Sequence, residues 1–194
     1  RLYTLVSGGE GASGYLWRSE PDVRLPCPVG YSAVVSTPHG VLSIGGENAD
    51  GPIDRVFLIR QSENLPDRGA SWEIIDQSIP NLPMAATAGG AALVGDYVYF
   101  VAGKVQQADG TSRASRFVWR LKLEHLAEAA VAGPNEPVGT WEPVASWPHD
   151  GPERMFPLVT SQHDGFGERL YLVGGRYVGE PSSLTKLLVT PGEQ

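Results

Sequence analysis

An apolar run that ends in a small residue, a glycine and then a charge occurs four times, at Leu2–Glu10, Val41–Glu47, Val98–Lys104 and Leu170–Arg176. A repeat of this kind constrains the fold before any local motif does. Each copy is one supersecondary unit, and it buries its apolar face only by stacking on the next copy. The repeat also sets a charged residue, Glu10, Glu47, Lys104 or Arg176, at the same place in every unit.

The parts around each glycine recur in order. Tyr31 to Thr37 is small and apolar, Pro38-His39-Gly40 is a turn, and Val41 to Ile44 is a second strand closed by Gly45-Gly46. Asn48 to Pro52 is rich in turn formers. Arg55 to Arg60 and Trp72 to Asp76 read as third and fourth strands. The next unit repeats the order with Ala88 to Val94, a Gly95-Asp96 hairpin turn, Tyr97 to Ala102 and then a loop, Arg116 to Leu123, and Thr140 to Val144. A later unit runs through Pro157 to Ser161, Arg169 to Gly174 and Leu184 to Val189, and the first starts at its second strand, with the rest compressed into Tyr15 to Asp22. His125 to Ala132 has helical composition. A short helix inserted there explains why Gly46 and Gly103 are 57 residues apart but Gly103 and Gly175 are 72 apart.

Four-stranded antiparallel units at this spacing predict an all-β chain folded as propeller blades. Blade boundaries fall near 1–26, 27–83, 84–148 and 149–194 of a single domain, two blades complete and two partial. First strands rich in Ala, Gly and Ser suit the wall of a narrow central channel. A β-sandwich is the competing fold, and it does not repeat a glycine pair unit by unit. Gly 24 and Pro 16 in 194 residues exclude a helical bundle, and 41 % hydrophobic residues suffice for a core. The net charge of −7, without any run of four basic residues, argues against nucleic acid or an anionic membrane as partner. No apolar stretch approaches the length of a membrane span. Cys27 is the only cysteine, so no intrachain disulfide forms, and a buried filler is its commonest role. The chain starts at Arg1, inside an apolar run, and is read as a mature form or a piece of something larger.

Topology selects a face. In an antiparallel meander the end of the second strand lies on the same side as the start of the first. The glycine ends, with Glu10, Glu47, Asn48, Lys104 and Arg176, therefore share a face with the segments leading into each blade, with Tyr31, Met84, Glu153 and Arg154. The turns at Pro38–Gly40 and Gly95–Asp96 lie opposite. A charge at a strand end is commonly just solvated. A charge at this place in every repeat favours a role in binding.

Strand, glycine pair, long loop, aromatic strand and then tryptophan resembles Kelch repeats. More closely, Pro26–Asn48, Asn81–Phe100 and Trp141–Pro148 leading into Arg169–Arg176 resemble the sialic-acid mutarotases (N-acetylneuraminate epimerases) and their cyclically permuted relatives. The resemblance implies a six-bladed Kelch propeller of which this chain is about half, with the remaining blades or another copy of the chain as a partner. It implies a small-molecule sugar as substrate, an isomerase activity at the anomeric carbon, and a periplasmic or secreted location.

Mutarotation needs a base for the anomeric hydroxyl and an acid for the ring oxygen, work a carboxylate does alone or with water. An acidic sugar also needs its carboxylate gripped, which Arg does with paired hydrogen bonds. Glu47 is therefore the expected catalytic residue, following its glycine pair as the family's glutamate follows a strand-ending glycine. Arg154, Arg176, Asn48 and Lys104 are the expected substrate-binding residues. Gly151-Pro152-Glu153-Arg154 carries one residue more than the family's pattern, and which blade holds the family's glutamate stays open. The rival class is a non-catalytic Kelch module that binds protein or glycan through the same loops.

No cofactor or metal is expected. His39, His125, His149 and His163 lack metal spacing, and Asn48-Ala49-Asp50-Gly51 lacks the remaining ligands of a calcium loop. Gly9-Glu10-Gly11-Ala12-Ser13-Gly14 fits a nucleotide-binding pattern only loosely, with no βαβ unit following. Copper chemistry of the galactose-oxidase kind would need a His pair beside Cys27, and the sequence shows none.

Overall fold

The computed structural model describes residues 2–8, 14–62, 71–132, 136–144 and 153–176. Strands β1 (Leu2–Ser7) and β2 (Tyr15–Glu20) form an antiparallel hairpin. The next sheet is built from β3 (Ala33–Thr37) and β4 (Gly40–Ile44). A two-residue hairpin, β5 (Glu47–Asn48) and β6 (Gly51–Pro52), follows them, and β7 (Val56–Ser62) and β8 (Ser71–Ile75) complete the sheet in the order β3-β4-β7-β8. The third sheet holds β9 (Ala86–Thr87), β10 (Gly90–Val94), β11 (Tyr97–Gln106) and β12 (Ser112–Lys122); helix α1 (Leu123–Val131) leads on to β13 (Glu142–Val144), which completes it. Its order is β10-β11-β12-β13, with β9 pairing beside β11. Strands β14 (Leu158–His163) and β15 (Glu168–Val173) form the last hairpin. The expected strand at 184–189, together with Glu10, Trp147 and His149, lies outside the described residues.

The fold is nearly all β, built from consecutive antiparallel sheets, as the repeat predicts. The first strands stand side by side, β10 packing against β3 on one side and β14 on the other. The third sheet therefore sits between two neighbours, and its side chains alternate with period two. Ala91, Val98, Phe100, Trp119 and Leu121 join Ile44, Leu58 and Leu82 in one core. Ala92, Val94, Tyr99, Val101 and Val118 join Leu170 and Leu172 in the other. Each large apolar side chain so buried contributes about 1.5–3 kcal/mol. The outer faces are less covered: Val34, Tyr15, Leu16, Trp17 and Leu158 are exposed.

Two local expectations need correction. The second strand of the third sheet does not stop at Ala102. A bulge between Val101 and Gly103 carries β11 on to Gln106, so Lys104 lies within a strand and not in a loop. The helix spans Leu123–Val131, not 125–132, because the backbone N–H of Leu123 is already anchored on the Asp96 carbonyl at 2.7 Å. Among its last carbonyls, Ala129 accepts from Ser78 Oγ and Ala130 from Arg60 Nη2, both at 2.9 Å. Val138 N–H donates to the Ser78 carbonyl and Trp141 Nε1 to the Pro80 carbonyl. The inserted helix and the tryptophan thus fasten the third sheet to the second.

Candidate functional site

Three corners of the molecule are built alike. Glu47 pairs with Gly30, Lys104 with Thr87 and Arg176 with Met155, each across an antiparallel bridge or ladder. The residue before each charge is a glycine with positive φ: Gly46 at 109°, Gly103 at 104° and Gly175 at 92°. The residue after each pairing partner also has positive φ, although none is glycine: Tyr31 at 53°, Ala88 at 56° and Phe156 at 55°. Each of these three lies two residues before its blade's first strand.

Backbone hydrogen bonds step from corner to corner in the same way. Gly46 N–H donates to the Ala86 carbonyl at 2.8 Å, and Gly103 N–H to that of Arg154 at 3.1 Å. Ala88 N–H donates to the Tyr31 carbonyl at 3.0 Å, and Phe156 N–H to that of Ala88 at 2.7 Å. Two equivalent bonds per junction fix neighbouring corners relative to one another. Glycine is needed at Gly46 because the lead-in segment of its own blade runs close by: a Cβ would lie 2.5 Å from Val29 Cγ1 and 2.6 Å from the Gly30 carbonyl oxygen. The glycine ends and the lead-in segments therefore share one face, on which Glu47, Lys104 and Arg176 occupy equivalent positions.

Glu47 and Lys104 are half-buried and Arg176 is exposed. The described ion pairs, Arg55–Asp76, Arg60–Glu73, Arg120–Glu142, Lys122–Glu124 and Arg169–Asp164, involve none of the three. Their backbones are held while their charged ends are not engaged in those pairs. Asn48 is occupied: its side-chain oxygen accepts the Asp50 N–H at 2.8 Å, shaping the β5–β6 turn. Met84 is half-buried and packs against the core shared by the second and third sheets.

Arg154 takes the position that Val29 and Ala86 hold in the preceding blades, two residues before the positive-φ residue. Its side chain is 1 % exposed, and Nη1 donates to the Gly174 carbonyl at 2.6 Å. Its backbone bridges Ser115. The guanidinium is enclosed beneath the corner that carries Arg176 and is not presented to solvent.

Spacing alone did not bring out Phe156. Its ring meets that of Tyr31 edge to face, centroids 5.7 Å apart, and the two are 51 % and 63 % exposed. Aligning the blades on their first strands would have matched Phe156 to Tyr31. Cys27 is half-buried. Among the described residues no cluster of His, Cys, Asp or Glu suits a metal ion, and no helix is long and apolar enough to cross a membrane.

No family model matches the chain, and neither does any curated protein. Among solved structures the chain is similar to that of YjhT, a propeller-type fold, with TM-score 0.57 and 16 % sequence identity over 91 % of this chain. The match covers 46 % of YjhT, so the chain spans about half the length of that structure. At this identity the likeness concerns the fold.

Proposed function

We propose that the glycine-end face binds a sugar and that the protein is a mutarotase for an acidic sugar of the N-acetylneuraminate type. The carrying observation is the threefold recurrence of one corner, which places Glu47, Lys104 and Arg176 equivalently on a single face. The resemblance of the sequence to sialic-acid mutarotases supplies the reaction class. In this reading Glu47 takes the anomeric hydroxyl proton as the bond from the anomeric carbon to the ring oxygen breaks, and water delivers a proton to that oxygen; reclosure on the opposite face reverses the transfers. Lys104 and Arg176 hold the sugar carboxylate, and Asn48 shapes the loop beside Glu47. Arg154 acts from below by fixing the Gly174 carbonyl, which sets the strand end that carries Arg176. The exposed apolar side chains of β2 and of Leu158 suit cover by further blades, in the same chain or a second copy.

An NMR anomer-exchange experiment with N-acetylneuraminate tests the reading. Exchange faster than in buffer, lost in Glu47→Gln, is the expected result. Acceleration undiminished in Glu47→Gln would remove Glu47 from the mechanism, and no acceleration by the unaltered protein would remove the activity. The exposed Tyr31–Phe156 pair favours a second reading, a glycan-binding module without catalysis. Saturable sugar binding without exchange is its signature.

A further inference from the structure

We infer that Tyr31 and Phe156 form a stacking corner that receives the apolar face of a pyranose ring, and that they set affinity on the face that carries Glu47. The inference rests on the sugar-binding reading above. Its first ground is backbone conformation. Both residues hold positive φ, at 53° and 55°, a region costly for bulky side chains and at which glycine or asparagine is the usual occupant. The corner geometry demands that conformation, since Ala88 shares it at 56°. It does not demand an aromatic ring, as Ala88 also shows.

The second ground is exposure. The rings are 63 % and 51 % exposed, so they add little to the core. Strained backbone conformations cluster at ligand sites, and here two of them also carry large, solvent-facing apolar groups. The third ground is placement. Ala88 lies between the two corners, bonded through its backbone to both Tyr31 and Phe156. Being small and 4 % exposed, it leaves the two rings free to meet across it. The rings stand at 72° to each other and so offer surfaces at a steep angle. Tyr31 directly follows the residue paired with Glu47, and Phe156 the residue paired with Arg176. An apolar corner flanked by a carboxylate and a guanidinium matches a pyranose that has one C–H-rich face and an acidic substituent.

The test is a titration of the full chain with N-acetylneuraminate, read by chemical shift, beside the anomer-exchange rate and the melting temperature. The variants are Tyr31→Gly, Phe156→Gly and Phe156→Tyr. Losing one aromatic partner weakens binding about three- to tenfold. Each glycine variant should show that loss while Tm holds or rises, because glycine relieves the positive φ. Phe156→Tyr should bind like the unaltered protein. Where exchange is measurable, the loss should fall on KM and leave kcat unchanged, as expected of uniform binding. Binding in the unaltered protein without anomer exchange would end the mutarotase reading and leave the stacking corner intact if the variants weaken it. Unchanged affinity in both glycine variants would overturn the corner even if exchange persists. Absence of sugar binding by the unaltered protein would overturn it as well.

Discussion

Replacing Gly103 by alanine probes the joint between the third and fourth blades. At φ 104° an L side chain strains the backbone by about 1–3 kcal/mol. The new Cβ would also lie 2.5 Å from the Thr87 carbonyl oxygen and 2.8 Å from the Gly89 nitrogen. Both are backbone atoms, so neither can swing aside. Relief requires Gly103 to retreat, which breaks the N–H bond it donates to the Arg154 carbonyl and loosens the packing around it. The bond and the displaced packing together add about 1–2 kcal/mol. Gly51→Ala is the control. Its φ is 123°, yet nothing lies within 4 Å of the added Cβ, so it carries the strain without the collision. In urea unfolding, with a slope of about 2 kcal/mol per molar, the midpoint of Gly103→Ala should fall below that of Gly51→Ala by about 0.5–1 M. Equal midpoints would refute the claim that this glycine is required by the close approach of its own blade's lead-in backbone at Thr87–Gly89.

Three further outcomes are expected. Trp141→Phe removes the Nε1–H donated to the Pro80 carbonyl and part of a ring that is 6 % exposed; calorimetry should show a loss of about 1–3 kcal/mol. Arg154→Met leaves the Gly174 carbonyl without this donor, and calorimetry should show a loss of about 1–3 kcal/mol. The hydroxyl of Thr111, then its backbone N–H, hold the exposed Asp109 carboxyl below its ordinary value of 3.8. A depressed folded-state pKa contributes stability above the unfolded value and loses it as pH falls through the folded one. Thr111→Val should therefore move the Asp109 NMR titration midpoint upward, toward 3.8.

The blades were legible because a strand ended by glycine announces its own boundary. Tyr31–Thr37, Val41–Ile44, Arg55–Arg60 and Trp72–Asp76 differ from the observed strands only at their ends. The continuation of β11 past Gly103 was not legible, since it is held by partners elsewhere in the chain, Ser112–Ser115 of β12 on one side and Ala86 and Thr87 on the other. The positive φ of Tyr31, Ala88 and Phe156 was hidden for a related reason: no side chain there signals it, and the stepwise bonds between blades impose it. The burial of Arg154 was likewise beyond reach. Spacing placed it at a blade's lead-in, but only the packed junction decides that its guanidinium turns inward to Gly174.

Amide chemical-shift mapping of the full chain with N-acetylneuraminate decides whether the sugar sits on the glycine-end face. Perturbations should gather at Gly30, Tyr31, Glu47, Lys104, Phe156 and Arg176, with the turns at Pro38–Gly40 and Gly95–Asp96 unaffected. Perturbations confined to those turns, or none at saturating sugar, would contradict that placement.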